Sequence, residues 1–476
     1  MMQALQNPSP SPHQTPEKTV LLFNYDWDAA GFARLASAAV QFDQRGFDLF
    51  SFPSNAHLVL FDIDRFVNKL ARQAKSQGWT AVSSQHEQFG ALAAALLAQK
   101  MGWPGTPPQA VVACQHKLYA RQVLHAVCPD ANTRYQRLPA AYGQDIPDGL
   151  TYPCFVKPVK AAFSVLAKVV QSRDELQQYT RFGAYELWVI KRLVEPFERI
   201  AKRLLPQAGT AHSMMLETAV NAQQYCLDGI AWGGSIKPLG VVDAVMYPTT
   251  QAFMRFDYPS QLSAAVQDRA LGVARKFLNA IGYTHGFFNM EFFHDAQTDQ
   301  LTVIEFNPRM ASQFADLYLR VDGLDLYAMA LALAHGRDPW AVARLQPTAG
   351  AATSAVYRVF DKTAPHLAQR IPPSPSGDQL QQLRGKFPDH ILLQYPQAKH
   401  STARDFKWLG SCRYAILHMG GRDAADLKAR CTVASEILQW ALPYADTAFL
   451  NNVQGTVLAE NTPPDTALLQ AQPTTL

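Results

Sequence analysis

The chain has 476 residues, 48% of them hydrophobic and 17% charged, and a formal net charge of +4. That length suits about three domains with sizeable cores and excludes a disordered chain. A balance so near neutral, without a long basic run, gives no support to a nucleic-acid or anionic-membrane partner. No apolar window reaches the ~18 residues of a membrane span, and the N-terminus lacks the basic and apolar regions of a Sec signal. The six cysteines form no CxxC pair, which suits buried, reduced thiols in a cytoplasmic protein.

Residues 1–18 are rich in Pro, Ser and Gln and read as a disordered tail, and residues 455–476 as a similar polar tail. Order is expected from Thr19. The run Thr19–Phe23 is apolar on both faces, like a buried parallel strand. A helical pattern follows Asp28 through Phe32, Leu35, Ala39 and Val40 and stops near Gly46. Phe47–Phe52 reads as a second strand and Thr80–Ser84 as another, feeding a helix from Glu87 to Met101 closed by Gly102. The alternation predicts a leading Rossmann-like α/β domain over 19–115. It has no GxGxxG fingerprint, so a dinucleotide site is not indicated.

Residues 116–340 mix strands and helices, an α+β pattern. Strands are expected at Pro153–Pro158, Met214–Val220, Gly240–Met246, Gly286–Phe293 and Leu301–Phe306. Helices are expected at Ser172–Thr180, Ser260–Ile281 and Leu324–His335. Residues 341–454 form a smaller C-terminal α+β domain, with a strand at Arg413–Met419 and a helix at Ala424–Trp440.

The chemistry lies in the middle region. Two apolar strands flank the polar turn His294–Gln300, so 286–307 reads as an antiparallel hairpin. With the turn centred on residue 298, Glu291 faces Glu305 across the pair, and Asn307 lies two residues on, on the same face. Carboxylates about 5 Å apart repel unless a cation or proton lies between them. Two carboxylates and an amide oxygen are hard ligands that suit Mg²⁺ held jointly with phosphates, and a solvated hairpin face is the plain alternative. Arg309 follows in Glu-x-Asn-x-Arg, where its guanidinium can fork onto an anion or make a structural salt bridge. Lys157 lies inside the apolar run Cys154–Pro158, where a lysine is expensive unless it meets an anion. Lys117 opens a helix near the first boundary. Together these residues suggest a Mg-nucleotide site.

The same residues resemble the ATP-grasp superfamily, in its carboxylate–amine ligase and biotin-carboxylase-like branch. The resemblance runs from Lys117 to about Gly336. Lys117 and Lys157 stand where the family places phosphate-binding lysines. The stretch from Met214 to Gly229 is similar to its hinge pattern, in which the backbone just before Glu217, at Leu216, holds adenine. Glu291, Glu305 and Asn307 match its Mg²⁺ ligands in order and spacing, and Arg309 its following arginine. The resemblance implies ATP and Mg²⁺ (with Mn²⁺ as a substitute) as cofactors, and small-molecule carboxylate and amine substrates. It implies an ADP-forming ligase working through an acyl phosphate. A homodimer is common among similar proteins. A biotin-carboxylase-like carboxylase and a non-catalytic ATP-binding protein are the alternatives.

Three features depart from the pattern. The loop Val159–Val165 has no glycine to cover phosphates, leaving Ser164 as a candidate donor. Gln224 stands where the hinge acid would accept ribose hydroxyls. Residues 185–212, with Lys191-Arg192 and Lys202-Arg203, read as an insertion before the hinge, a solvated surface element with a substrate or subunit contact as the alternative. Further candidates are Arg255, in an expected loop Tyr247–Pro259, as an anion contact, and Gln313 and Asp316 near the acceptor pocket.

Overall fold

A computed structural model describes residues 16–49, 54–138, 144–161, 166–248, 250–360, 371–395 and 410–440. Ser164 and nearly all of both expected tails lie outside the described residues. The chain divides into two units. The first comprises 1–244, 256–354 and 420–424, and the second 245–255, 355–419 and 425–476.

The first unit opens with β1 (Glu17–Leu22), α1 (Asp26–Ala33), β2 (Val40–Arg45), α2 (Ile63–Gln77), β3 (Ala81–Ser83) and α3 (Gly90–Met101). The strands form a parallel sheet in the order β2-β1-β3. Parallel pairing and helical crossovers are what the alternation predicts. The second strand is a correction. It begins at Val40, inside the expected helix, and Phe47–Leu49 is irregular. Phe32, Leu35, Ala39 and Val40 satisfy a helical spacing, but Val40 and Phe42 also alternate with polar residues along a part-exposed strand.

Next come α4 (Pro108–Gln115), α5 (Lys117–Val127), β4 (Tyr135–Arg137), β5 (Cys154–Pro158), β6 (Lys168–Val170), α6 (Arg173–Tyr179), α7 (Ala184–Leu204) and β7 (Met214–Thr218). A second sheet runs β4-β7-β5-β6. The remaining elements, of which β9, β10 and β13 belong in part to the second unit, are β8 (Gln223–Trp232), β9 (Ser235–Met246), β10 (Phe253–Tyr258), α8 (Ala264–Ala280), β11 (Gly286–Asp295), β12 (Gln300–Asn307), α9 (Ala315–Asp322), α10 (Leu326–Ala334) and β13 (Ala351–Phe360). A third sheet includes, as neighbours, β12-β11-β8-β9. Its apolar face packs on α8 and α5, with the Phe277 and Phe306 rings stacked at 3.9 Å. Gly229 lies where β8 shifts register against β9, and a Cβ there would come within 2.6 Å of the Lys237 carbonyl and 2.5 Å of the Phe288 ring. Only glycine allows that approach.

The expected insertion is also corrected. Helix α7 is amphipathic and buries Val194, Phe197, Ile200 and Ala201 in the core formed by β1, α3 and α4. Burying each large apolar side chain contributes about 1.5–3 kcal/mol, which explains why the segment is ordered against the body. Of its basic residues, Arg203 pairs with Asp64 at 2.7 Å and Lys202 with Glu198 at 3.0 Å.

The second unit contains α11 (Gly377–Lys386), β14 (Ile391–Gln394), most of β15 (Ser411–Gly421) and of α12 (Ala424–Leu438), with β14 antiparallel to β15. Tyr357, Tyr414 and Trp440 form its aromatic cluster, with rings 5.1 and 5.2 Å apart about Trp440. Arg255 belongs to this unit and lies on β10, not in a loop. Among the described residues, no helix is long and apolar enough to cross a membrane.

Candidate active site

The site is built in the first unit, where one end of the acidic hairpin meets the lysine-bearing sheet. Glu291 on β11 stands directly opposite Glu305 on β12, and Asn289 opposite Asn307. The opposition depends on a bulge. Beyond Glu291 the register slips by one, so that Phe292 pairs with Val303 and Ile304 is the extra residue.

Each acidic hairpin residue has a partner. Lys117 at the start of α5 reaches the Glu305 carboxylate with its Nζ. The Nε2 of Gln224 donates to Glu291 at 2.8 Å, and the Nδ2 of Asn307 donates to Glu291 and to Asn289, both at 3.1 Å. With Nδ2 so committed, the Asn307 amide oxygen is the atom left for a cation. Burial and the Glu305 charge both push the Glu291 carboxyl above the usual carboxylate range. Burial opposes the charge on Glu305 too, but the Lys117 ammonium outweighs it and holds that carboxyl low. The two carboxyls are thus pushed apart, Glu291 toward its neutral form and Glu305 toward its charged one. Among the described residues no three His, Cys, Asp or Glu side chains gather to hold a metal. Two carboxylates and an amide supply too few ligands for a protein cage, and they fit a Mg²⁺ that draws its other ligands from phosphate and water.

A second charged group lies on the lysine-bearing sheet. Lys157 on β5 reaches diagonally across to Glu217 on β7, at 2.8 Å. Arg121, one helical turn after Lys117, donates from Nε to the same carboxylate at 2.6 Å. Its Nη1 and Nη2 donate to the Val303 and Ile304 carbonyls of β12. Arg121 thus ties the two sheets together, at the bulge that sets the Glu305 register. Burial lowers the Lys157 ammonium to about 8, with Glu217 resisting the shift. Glu217 stays ionised against its own burial because two cations share it.

The geometry revises two of the expected roles. The Glu217 carboxylate is spent on Arg121 and Lys157 and is not presented to a ligand. The Leu216 main chain is opposite Gln136 of β4, between the ladder bonds Thr218 N–H to Arg134 and Leu138 N–H to Met214. Ladder bonds to one neighbour recur at every second residue, so the Leu216 amide and carbonyl face β4. Asp316 is held by Arg320 at 2.6 Å within α9, and Gln313 lies in a short 3-10 turn.

Arg309 lies where the hairpin leaves the sheet. Its Nε donates to Glu87 at 2.6 Å, and Gln85 accepts from the Met310 amide at 2.9 Å. Both partners come from the segment after β3, so the leading layer positions the arginine.

Sequence reasoning missed Arg121, Glu87, Asn289 and Asp228. Two signals were present. Arg121 is four residues after Lys117 on a helix, and Asn289 two before Glu291 on a strand, so each shares a face with a chosen residue. Asp228 is fully buried, accepting from Tyr318 at 2.8 Å and from Asn289 at 3.0 Å. A continuous chain of hydrogen bonds results: Tyr318, Asp228, Asn289, Asn307, Glu291. Burial raises Asp228 from 3.8 to about 7. Between those values the folded chain binds more protons than the unfolded one, so this group's stabilisation is lost as pH rises from about 4 to about 7. Asp228→Asn is expected to flatten that slope, measured as urea midpoints at about pH 5 and about pH 8. A slope identical to wild type would acquit Asp228.

No family model matches the chain. It is 23% identical over 252 residues to an uncharacterized protein, y4rH, of Sinorhizobium fredii, a match covering 52% of this chain and 47% of that protein. The match thus spans less than half of that relative's length. An L-amino acid ligase from Bacillus licheniformis superposes with a TM-score of 0.61 at 13% identity, covering 89% of this chain and 97% of that one. A carboxyaminoimidazole ribonucleotide synthase from Aspergillus clavatus, complexed with ATP, gives 0.59 at 14% identity, covering 89% and 98%. At such identities the likeness is one of fold. A parallel leading layer, a lysine-bearing sheet and an acidic hairpin, matched over 89% of the chain, make this an ATP-grasp fold.

Proposed function

We propose that this chain is an ATP-dependent, ADP-forming ligase that joins a small carboxylate to an amine through an acyl phosphate. One observation carries the reading: Glu291 and Glu305 directly opposed beside Asn307, with Lys117 within reach of the pair. A protein that only binds nucleotide has little use for that opposition.

Glu291, Glu305 and Asn307 would hold Mg²⁺, which would supply charge neutralisation for phosphoryl transfer. Lys117 would exchange Glu305 for a phosphate oxygen, and Lys157, still partnered by Glu217, would hold a second phosphate. The substrate carboxylate oxygen attacks the γ-phosphorus, and the bond to the ADP oxygen breaks. The amine nitrogen then attacks the acyl carbon, the C–O bond to phosphate breaks, and the amine proton leaves with phosphate or water. Arg309, oriented by Glu87, would offer Nη2 to the oxyanion at that carbon. The likeness to a ligase of amino acids supports this substrate class, and work here is mostly positioning and charge neutralisation.

The test is product analysis. The protein is incubated with Mg-ATP and pools of carboxylic acids, with and without amino acids, and ADP is separated from AMP. ADP that appears only with a particular acid and amine is the expected result. AMP would indicate adenylation and sink the acyl-phosphate route.

A further inference from the structure

The loop after β5 contains a lysine to which no role has been given. Lys160 is 2% exposed, and no carboxylate of the described residues forms an ion pair with it. Among the described residues its contact is with the Phe197 ring, 5.0 Å from Nζ. The charged groups that act on it are Glu87, Lys117, Glu305 and Arg309, which are the site's own. Its backbone is fixed, because Val159 accepts from the Lys117 amide at 3.0 Å and donates to Ser213 at 2.9 Å.

The other cations of the site all have carboxylate partners. Lys117 has Glu305, Arg121 and Lys157 share Glu217, and Arg309 has Glu87. Lys160 is therefore a cation in excess, held in a sheltered place without a counter-charge. Such a group costs stability unless an anion completes it. The surroundings indicate where that anion sits. Lys160 lies on the glycine-less loop beside the lysine-bearing strand, and α7 supplies the ring that confines it.

We infer that Lys160 is a third phosphate-binding lysine, which takes a terminal oxyanion of a bound nucleoside triphosphate in place of a glycine-rich cover. The inference rests on the proposed nucleotide site and adds a residue to it. The ring of Phe197 stabilises the ammonium while the anion is absent. A buried side-chain cation substitutes for the backbone N–H groups that glycines would present.

Binding of a non-hydrolysable ATP analogue and of AMP is measured by calorimetry with Mg²⁺, on the full-length chain. Lys160→Met is expected to weaken the triphosphate analogue about 10- to 100-fold, as for loss of a hydrogen bond to a charged group, with AMP little changed. Lys160→Arg should keep most of the affinity. Thermal unfolding without ligand should show Lys160→Met at least as stable as wild type, because a buried unpaired charge is gone. An unchanged triphosphate affinity in Lys160→Met overturns the inference, and so does an equal loss for AMP. Should the methionine variant not fold, Lys160→Gln is read by the same criteria. A wild-type chain that binds no triphosphate overturns the site itself, a result distinct from wild-type binding that the variants leave untouched.

Discussion

Glu217→Met is expected to lower stability by about 3–5 kcal/mol, the range for breaking a buried ion pair by removing one partner. The size follows from the number of charges stranded. Arg121 and Lys157 are both buried and share this one carboxylate, so its loss leaves two cations uncompensated. The Arg121 anchor to the Val303 and Ile304 carbonyls would hold one of them in place rather than let it swing to water. Lys157→Met should cost clearly less, because Arg121 still neutralises Glu217. Urea unfolding followed by intrinsic fluorescence checks the order. Equal losses in the two variants would mean that the carboxylate does not hold both cations.

Glu305→Ala should leave the fold intact and reduce ADP formation by at least about 100-fold, the upper end of what losing a metal ligand's supporting partner costs. Glu305 and its partner Lys117 are both part-exposed, so less stability is at stake than at Glu217. The variant should also lose the Mg²⁺ dependence of nucleotide binding, read by calorimetry with and without the ion. Full activity in Glu305→Ala would make the metal assignment wrong.

The acidic hairpin was legible in the sequence because its information is local. Glu291 and Glu305 belong to one hairpin, and alternation puts Asn289 with Glu291 and Asn307 with Glu305, while the opposition of the two carboxylates also needs the bulge at Ile304, which the alternation does not indicate. The parallel leading layer was legible for the same reason, apart from β2, where one run of residues fits both a helix and an edge strand. What could not be read was pairing across long separations. Nothing near Arg309 in sequence indicates Glu87, 222 residues earlier, and nothing near Arg121 indicates Glu217, 96 residues later. The role of α7 was hidden differently: its basic pairs drew attention to the solvent face, while the spacing of Val194, Phe197 and Ile200 defined the buried one.

The bulge at Ile304 has a consequence for how this chain could change over time. With Ile304 present, every residue of β12 from Glu305 onward owes its side to the bulge. Straightening the strand with that residue kept would pair Ile304 with Glu291 and turn Glu305 and Asn307 to the opposite face, whereas deleting its codon would leave Glu305 opposite Glu291 on a regular ladder. Residues added in the turn at 296–299 also lie beyond the bulge and leave the carboxylates in register. The hairpin can thus change length at the turn or lose the bulge residue with its chemistry left standing, and what it cannot absorb is a slip of register between the two.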